Sequence, residues 1–141
     1  MSDLFNHIPI CKPWMEEEEW LSLKDVILSG WISQGPKVQE FENQVAEFVG
    51  AKYAVATNAC TSAMHLIMRY LGVVPGDEVI VASWTCMANI NAILMAGATP
   101  VLVDVDFDTT NLDPEKVVEA ITEKTKAIMV IDQLGTPAGL D

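Results

Sequence analysis

Positive charge is scarce in this sequence. Eight lysines and arginines stand against twenty aspartates and glutamates, a formal net charge of −12. Proteins that grip nucleic acid neutralise its phosphates with clustered cations, so this balance argues against a nucleic-acid partner. The same deficit argues against an anionic membrane surface. No apolar run approaches the roughly 18 residues that cross a bilayer. The opening MSDLFNHIPICKPW has neither the basic start nor the apolar core of a signal peptide. The expectation is a soluble, cytoplasmic protein. Cysteine is also sparse, with one each at 11, 60 and 86, which gives neither a disulfide framework nor a Cys-x-x-Cys pair. The two histidines, His7 and His65, stand far from any carboxylate pattern, so no metal site is expected.

Hydrophobic residues, by contrast, make up 50% of the 141, enough for one packed core. The run Glu16 to Glu19 suits a solvated first helical turn, where the helix dipole favours acids. Trp20, Leu21, Leu23, Ile27 and Leu28 then form a broad apolar stripe up to Gly30, which predicts a helix over 16–29. Pro36 opens a second helix, whose apolar residues Val38, Phe41, Val45, Phe48 and Val49 recur at helical spacing up to Gly50. Tyr53 to Ala56 reads as a short strand and 60–71 as a helix. Pro75-Gly76-Asp77 marks a turn before a strand at 78–82. The nearly uncharged CMANINAILMA predicts a helix over 86–96, buried on most sides. Strands at 100–104 and 126–131 flank a helix capped by Asp113 and opened by Pro114.

From residue 53 the order is β-α-β-α-β-α-β. Apolar strands alternating with helices predict an α/β fold, a mainly parallel sheet covered on both faces and joined by right-handed crossovers. Ligands of such sheets gather beyond the carboxyl ends of the strands. Four segments arrive there: Thr57–Thr61, Ser83–Cys86, Asp104–Asp108 and Asp132–Gly135. In the first, small residues precede a helix N-terminus, whose free N–H groups and partial positive charge suit a phosphate. The hydroxyls of Thr61 and Ser62 can donate as well. No glycine is present, so neither the dinucleotide fingerprint nor the P-loop fits. Simple capping by Asn58 or Thr61, without a ligand, is the competing reading. Trp84 could cover a flat ring or plug an interface. The acids at 104, 106 and 108 read as a loop after a strand rather than a cation site. Asp132 and Gln133 could face a ligand or cap their loop.

Taken together, these residues resemble the N-terminal part of the DegT/DnrJ/EryC1/StrS family of sugar aminotransferases, which use pyridoxal phosphate (PLP). The matching stretches are IPICKPWMEEEE, SGWISQGPKVQEFE, ATNACTSAMHL, PGDEVIVASWT, NAILMAGATPVLVDVD and KTKAIMVIDQLGTPAGLD, in the family's order. The resemblance implies the three-layer, mainly parallel sheet of the type I PLP-dependent transferase large domain. Residues 1–50 would form its N-terminal helical segment and 51–141 the first half of its PLP-binding part. It further implies a homodimer, a nucleotide-linked keto-sugar as substrate, and glutamate as the common amino donor. The family's Ser-Gly-Thr turn, which holds the cofactor phosphate, falls on Ala59-Cys60-Thr61. The ring-stacking aromatic falls on Cys86, whose sulfur can still pack against a ring face. The family's Val-His after the fourth strand falls on Ile131-Asp132, which makes Asp132 a candidate to face the site.

The family's PLP-binding lysine and the acid that partners the pyridine nitrogen have no match here. None of Lys12, Lys24, Lys37, Lys52, Lys116, Lys124 or Lys126 stands at a matching position. The expectation is a fragment lacking the rest of the large domain and the C-terminal small domain, inactive alone, with open strand edges prone to aggregation. A sugar dehydratase of the same family, and a phosphate-binding α/β module without catalysis, are the other readings. The type I arrangement also predicts that strand 78–82 pairs with 100–104, and that 53–56 pairs with neither.

Overall fold

A computed structural model of the chain describes residues 11–139; His7, and residues 8–10 of the first matching stretch, lie outside the described residues. The chain divides into two compact units, 1–56 and 57–141.

In the first unit, helix α1 spans Glu17–Ser29 and α2 spans Pro36–Val49. The backbone N–H of Glu16 donates to Glu19 Oε2 at 2.7 Å, closing the acidic first turn of α1. Gly30 and Gly50 end the two helices in the left-handed conformation, with φ of 72° and 68°. The apolar stripe of α1 is not buried: Trp20, Leu23, Ile27 and Leu28 are exposed. No described residue of this unit covers that face. Residues 53–56, expected as a strand, form none. They find no ladder partner among the described residues. The N–H of Ala56 donates instead to Glu42 Oε1 at 2.8 Å, so a side chain of α2 supplies the acceptor.

The second unit holds α3 (Cys60–Tyr70), β1 (Glu78–Ala82), α4 (Met87–Met95), β2 (Thr99–Val103), α5 (Pro114–Ala120) and β3 (Thr125–Met129). The strands form one parallel sheet in the order β2-β1-β3. Strand 78–82 thus pairs with the strand expected at 100–104, Ile80 standing opposite Val101. It pairs on its other side with β3, where one extra residue, Lys126, slips the register between Glu78 and Val79. Pro100 lies in β2, at the outside of the order, where its missing N–H is tolerated.

Alternation along β1 makes two cores. Val79 and Val81 face Met68 of α3 and Ile93 of α4, with Val73, Ala96, Ala98 and Met129 around them. Ile80 and Ala82 face the other way, onto Val103, Leu112 and Val117 of α5. Helices therefore cover both faces, as a buried parallel sheet requires. The expectation that 86–96 is buried on most sides is corrected. Asn89, Ala92 and Ile93 are buried, but Met87, Leu94 and Met95 are exposed. One face of α4 packs on the sheet and on α3, and no described element of this unit covers the other.

Candidate functional site

All three strands are parallel, so their carboxyl ends share one edge of the sheet. The loops 83–86, 104–113 and 130–135 leave from that edge. Three elements meet at a cleft of about 450 Å³ beside β3. Cys60 contributes from the start of α3, Asn89 from the first turn of α4, and Ile131 from just past β3. A larger cavity of about 490 Å³ in the first unit, around Leu23, Trp31 and Val38, collects none of the expected site residues.

Neither Asn58 nor Thr61 caps α3. The N-cap is Ala59, extended at φ −160°, ψ 152°, and it has no side chain that can accept a hydrogen bond. Its carbonyl accepts the N–H groups of Ser62 at 3.0 Å and Ala63 at 3.2 Å. The Asn58 carboxamide is occupied elsewhere, its Oδ1 accepting the Ser62 hydroxyl at 2.8 Å. Thr57 Oγ1 donates to the Ala59 carbonyl at 2.9 Å. The N–H groups of Cys60 and Thr61 take no acceptor from the described residues, and the Thr61 hydroxyl also has no partner among them. Two backbone donors and a hydroxyl therefore stand without described partners in the first turn, at the positive end of an eleven-residue helix. The small side chains Ala59 and Cys60 are exposed and leave the backbone approachable. Donors of this kind suit an oxyanion.

Cys86 is the N-cap of α4 and is exposed. Its carbonyl accepts the N–H of Asn89 at 3.0 Å, which links it to the cleft wall. Asn89 is buried, and its amide donates to the Thr85 hydroxyl, a bond that ties the turn between β1 and α4. Trp84 is exposed and plugs no interface within its unit. The three acids after β2 go separate ways. Asp104 Oδ1 accepts the N–H of Val105 at 2.9 Å. Asp106 Oδ1 accepts the N–H and hydroxyl of Thr109, each at 2.8 Å, and these bonds hold its carboxyl below the usual aspartate range.

Asp132 is exposed and opens a single 3-10 turn, Gln133–Gly135. Its Oδ1 accepts the N–H of Ala138 at 2.9 Å, so it closes its own loop, and Oδ2 takes no bond among the described residues. Sequence reasoning missed two residues in this region, Asn89 and Asn111. Asn111, in the loop after β2, holds the backbone of Gln133, Thr136 and Pro137 through its carboxamide. The sequence offers no signal that separates a buried bridging asparagine from an ordinary turn asparagine; only its burial does.

The model of the DegT/DnrJ/EryC1/StrS aminotransferase family matches residues 13–141. The spore coat polysaccharide biosynthesis protein SpsC of Bacillus subtilis (strain 168) is 44% identical over 137 residues, 96% of this chain and 35% of SpsC. Among solved structures, Spr1654 of Streptococcus pneumoniae, assigned as a sugar aminotransferase and known in PLP and PMP forms, superposes with a TM-score of 0.88. It is 40% identical, over 93% of this chain and 33% of that one. A 3-amino-5-hydroxybenzoic acid synthase superposes with a TM-score of 0.85 at 38% identity, over 92% of this chain and 34% of its own. The chain thus spans about a third of the length of these relatives. Its parallel sheet with helices on both faces is part of the type I PLP-dependent transferase fold. Motif order, sheet order and superposition agree, and the chain belongs to the DegT/DnrJ/EryC1/StrS aminotransferase family.

Proposed function

We propose that this chain supplies the phosphate-holding part of a PLP-dependent aminotransferase that acts on a nucleotide-linked keto-sugar, with an amino acid, glutamate foremost, as donor. One observation carries the reading: the unpartnered N–H groups of Cys60 and Thr61, with the Thr61 hydroxyl, open α3 where α4 and the end of β3 also converge. Ala59, Cys60 and Thr61 would hold the cofactor phosphate. Cys86 would lie against the face of its ring, and Asp132 would face it from the loop after β3. When bound, the cofactor supplies an electron sink through which an amino group passes between an amino acid and a carbonyl.

The chain's own residues would bind and orient; no lysine of the second unit stands as a natural covalent anchor. In the second unit, Lys116 engages Glu119, while Lys124 and Lys126 lie at the amino end of β3, away from the carboxyl edge. This supports a reactive lysine outside residues 1–141 and no transamination by these residues alone. The division into a helical segment over 1–50 and a cofactor-binding part over 51–141, a homodimer and a cytoplasmic setting belong to the same reading. The test is titration of the whole protein with PLP, followed by visible absorption. Saturable uptake is expected, with conversion to the pyridoxamine form on adding glutamate. Absence of saturable uptake overturns the reading.

A further inference from the structure

We propose that Asn111 is a positioning residue, which sets the place of Asp132 by fastening the loop after β3 to the loop after β2. Asn111 is 3% exposed. Its Nδ2 donates to the carbonyls of Thr136 at 2.9 Å and Pro137 at 3.1 Å. Its Oδ1 accepts the N–H of Gln133 at 2.9 Å. Two acceptors on one side and one donor on the other admit a single orientation of the carboxamide. The backbone of Asn111 is fixed as well: its carbonyl accepts the N–H of Asp106 at 2.9 Å, and its N–H donates to Thr109 Oγ1 at 3.3 Å.

These bonds bracket Asp132. Gln133, held by Asn111, is the next residue, and Ala138, which donates to Asp132 Oδ1, follows the held Pro137. Between the two anchors the chain takes an unfavourable path. Leu134 has φ 52° and is 94% exposed, so no packing of its side chain supports the left-handed backbone. The carboxamide of Asn111 is the long-range polar tie among the described residues that holds this path. An apolar residue of equal volume would fill the space but leave three backbone groups without partners.

The inference rests on the reading that Asp132 faces the cofactor, and the test separates the two. In the whole protein without cofactor, Asn111→Ala should speed amide exchange at Gln133 and Ala138 about tenfold or more, leaving Ile80 and Val81 unchanged. With PLP, a double-mutant cycle reads the coupling. Asn111→Ala should weaken PLP affinity about tenfold when Asp132 is present and less than about twofold in the Asp132→Ala background. Equal loss in both backgrounds, or unchanged exchange at Ala138, overturns the positioning role. Failure of the wild-type protein to take up PLP overturns the functional reading, and this inference with it. Should Asn111→Ala fail to fold, Asn111→Asp enters the same cycle, since it keeps the acceptor for Gln133 and loses both donors.

Discussion

The hydroxyl of Ser62 donates to Asn58 Oδ1 at 2.8 Å, so the residue best suited to cap α3 is turned away from the helix N–H groups. The first turn is left with Ala59 as its cap and with the donors of Cys60 and Thr61 open. A helix that forgoes a cap loses about 1 kcal/mol. A bound anion recovers that and more, because hydrogen bonds to a charged group contribute about 1.5–3 kcal/mol each. Thr61→Val removes one such donor and should weaken PLP binding by about tenfold or more. Cys60→Ser should leave affinity within about twofold, since in the proposed role the backbone of that residue, not its side chain, meets the phosphate. Fluorescence titration of the whole protein with PLP checks both.

Much of this was legible in the sequence, for physical reasons that differ by residue. Val79 to Val81 are apolar without alternation because both faces of β1 are covered, and that reads as a central parallel strand. Asp113 followed by Pro114 reads as a helix start, and Asp113 accepts the N–H of Glu115 at 2.9 Å. Tyr53 to Ala56 has the composition of a strand, yet strands exist by pairing, and no described strand pairs with it. The stripe on α1 announced a buried face that is exposed, because periodicity gives the direction of a face and not what covers it. In the site, α3's small-residue start was visible from local chemistry. The Asn111 tie spans 22 to 26 residues and depends on tertiary burial, which no local pattern encodes.

Ile80 is fully buried on the α5 side of β1, with Val103, Leu112 and Val117 about it. Ile80→Ala removes that packing from the middle strand of the sheet and should cost about 2–5 kcal/mol. Phe107 is larger but exposed in the loop after β2, so Phe107→Ala should stay within about 0.5 kcal/mol. Denaturant unfolding of the whole protein, monitored by circular dichroism, should separate the pair clearly.

Gly97 ends α4 at φ 87°, and a Cβ built there would stand 2.8 Å from Pro75 Cγ and 3.3 Å from its Cδ. The proline ring cannot swing aside as a flexible side chain would. Backbone strain and overlap therefore act together in Gly97→Ala, which should destabilise by about 1–3 kcal/mol. At Gly72, with φ 72° and open space, only the backbone term applies, and Gly72→Ala should cost about 1 kcal/mol. Thermal unfolding that ranks Gly72→Ala as the more damaging change would contradict this account.

Asp106 gives the loop after β2 a dependence on pH. Its Oδ1 accepts three bonds, from the Thr109 N–H and hydroxyl at 2.8 Å each and from the Asp108 N–H at 3.2 Å. The Thr109 backbone bond is the main cause of its lowered pKa, followed by the Thr109 hydroxyl. A carboxyl whose pKa is lower folded than unfolded stabilises the fold fully above its unfolded pKa. That contribution falls away as pH drops through the folded value. The window thus opens at the ordinary aspartate range and extends below it. Since the Asp106 N–H also donates to the Asn111 carbonyl at 2.9 Å, loosening of this turn should reach the tie on the loop after β3. Followed by NMR, the Asp106 carboxyl should titrate below the ordinary range, with the Thr109 amide shifting in step. Asp106→Asn keeps an acceptor oxygen but cannot titrate, so it should abolish the acid-dependent change at Thr109. An unchanged Thr109 titration in that variant would place the cause elsewhere.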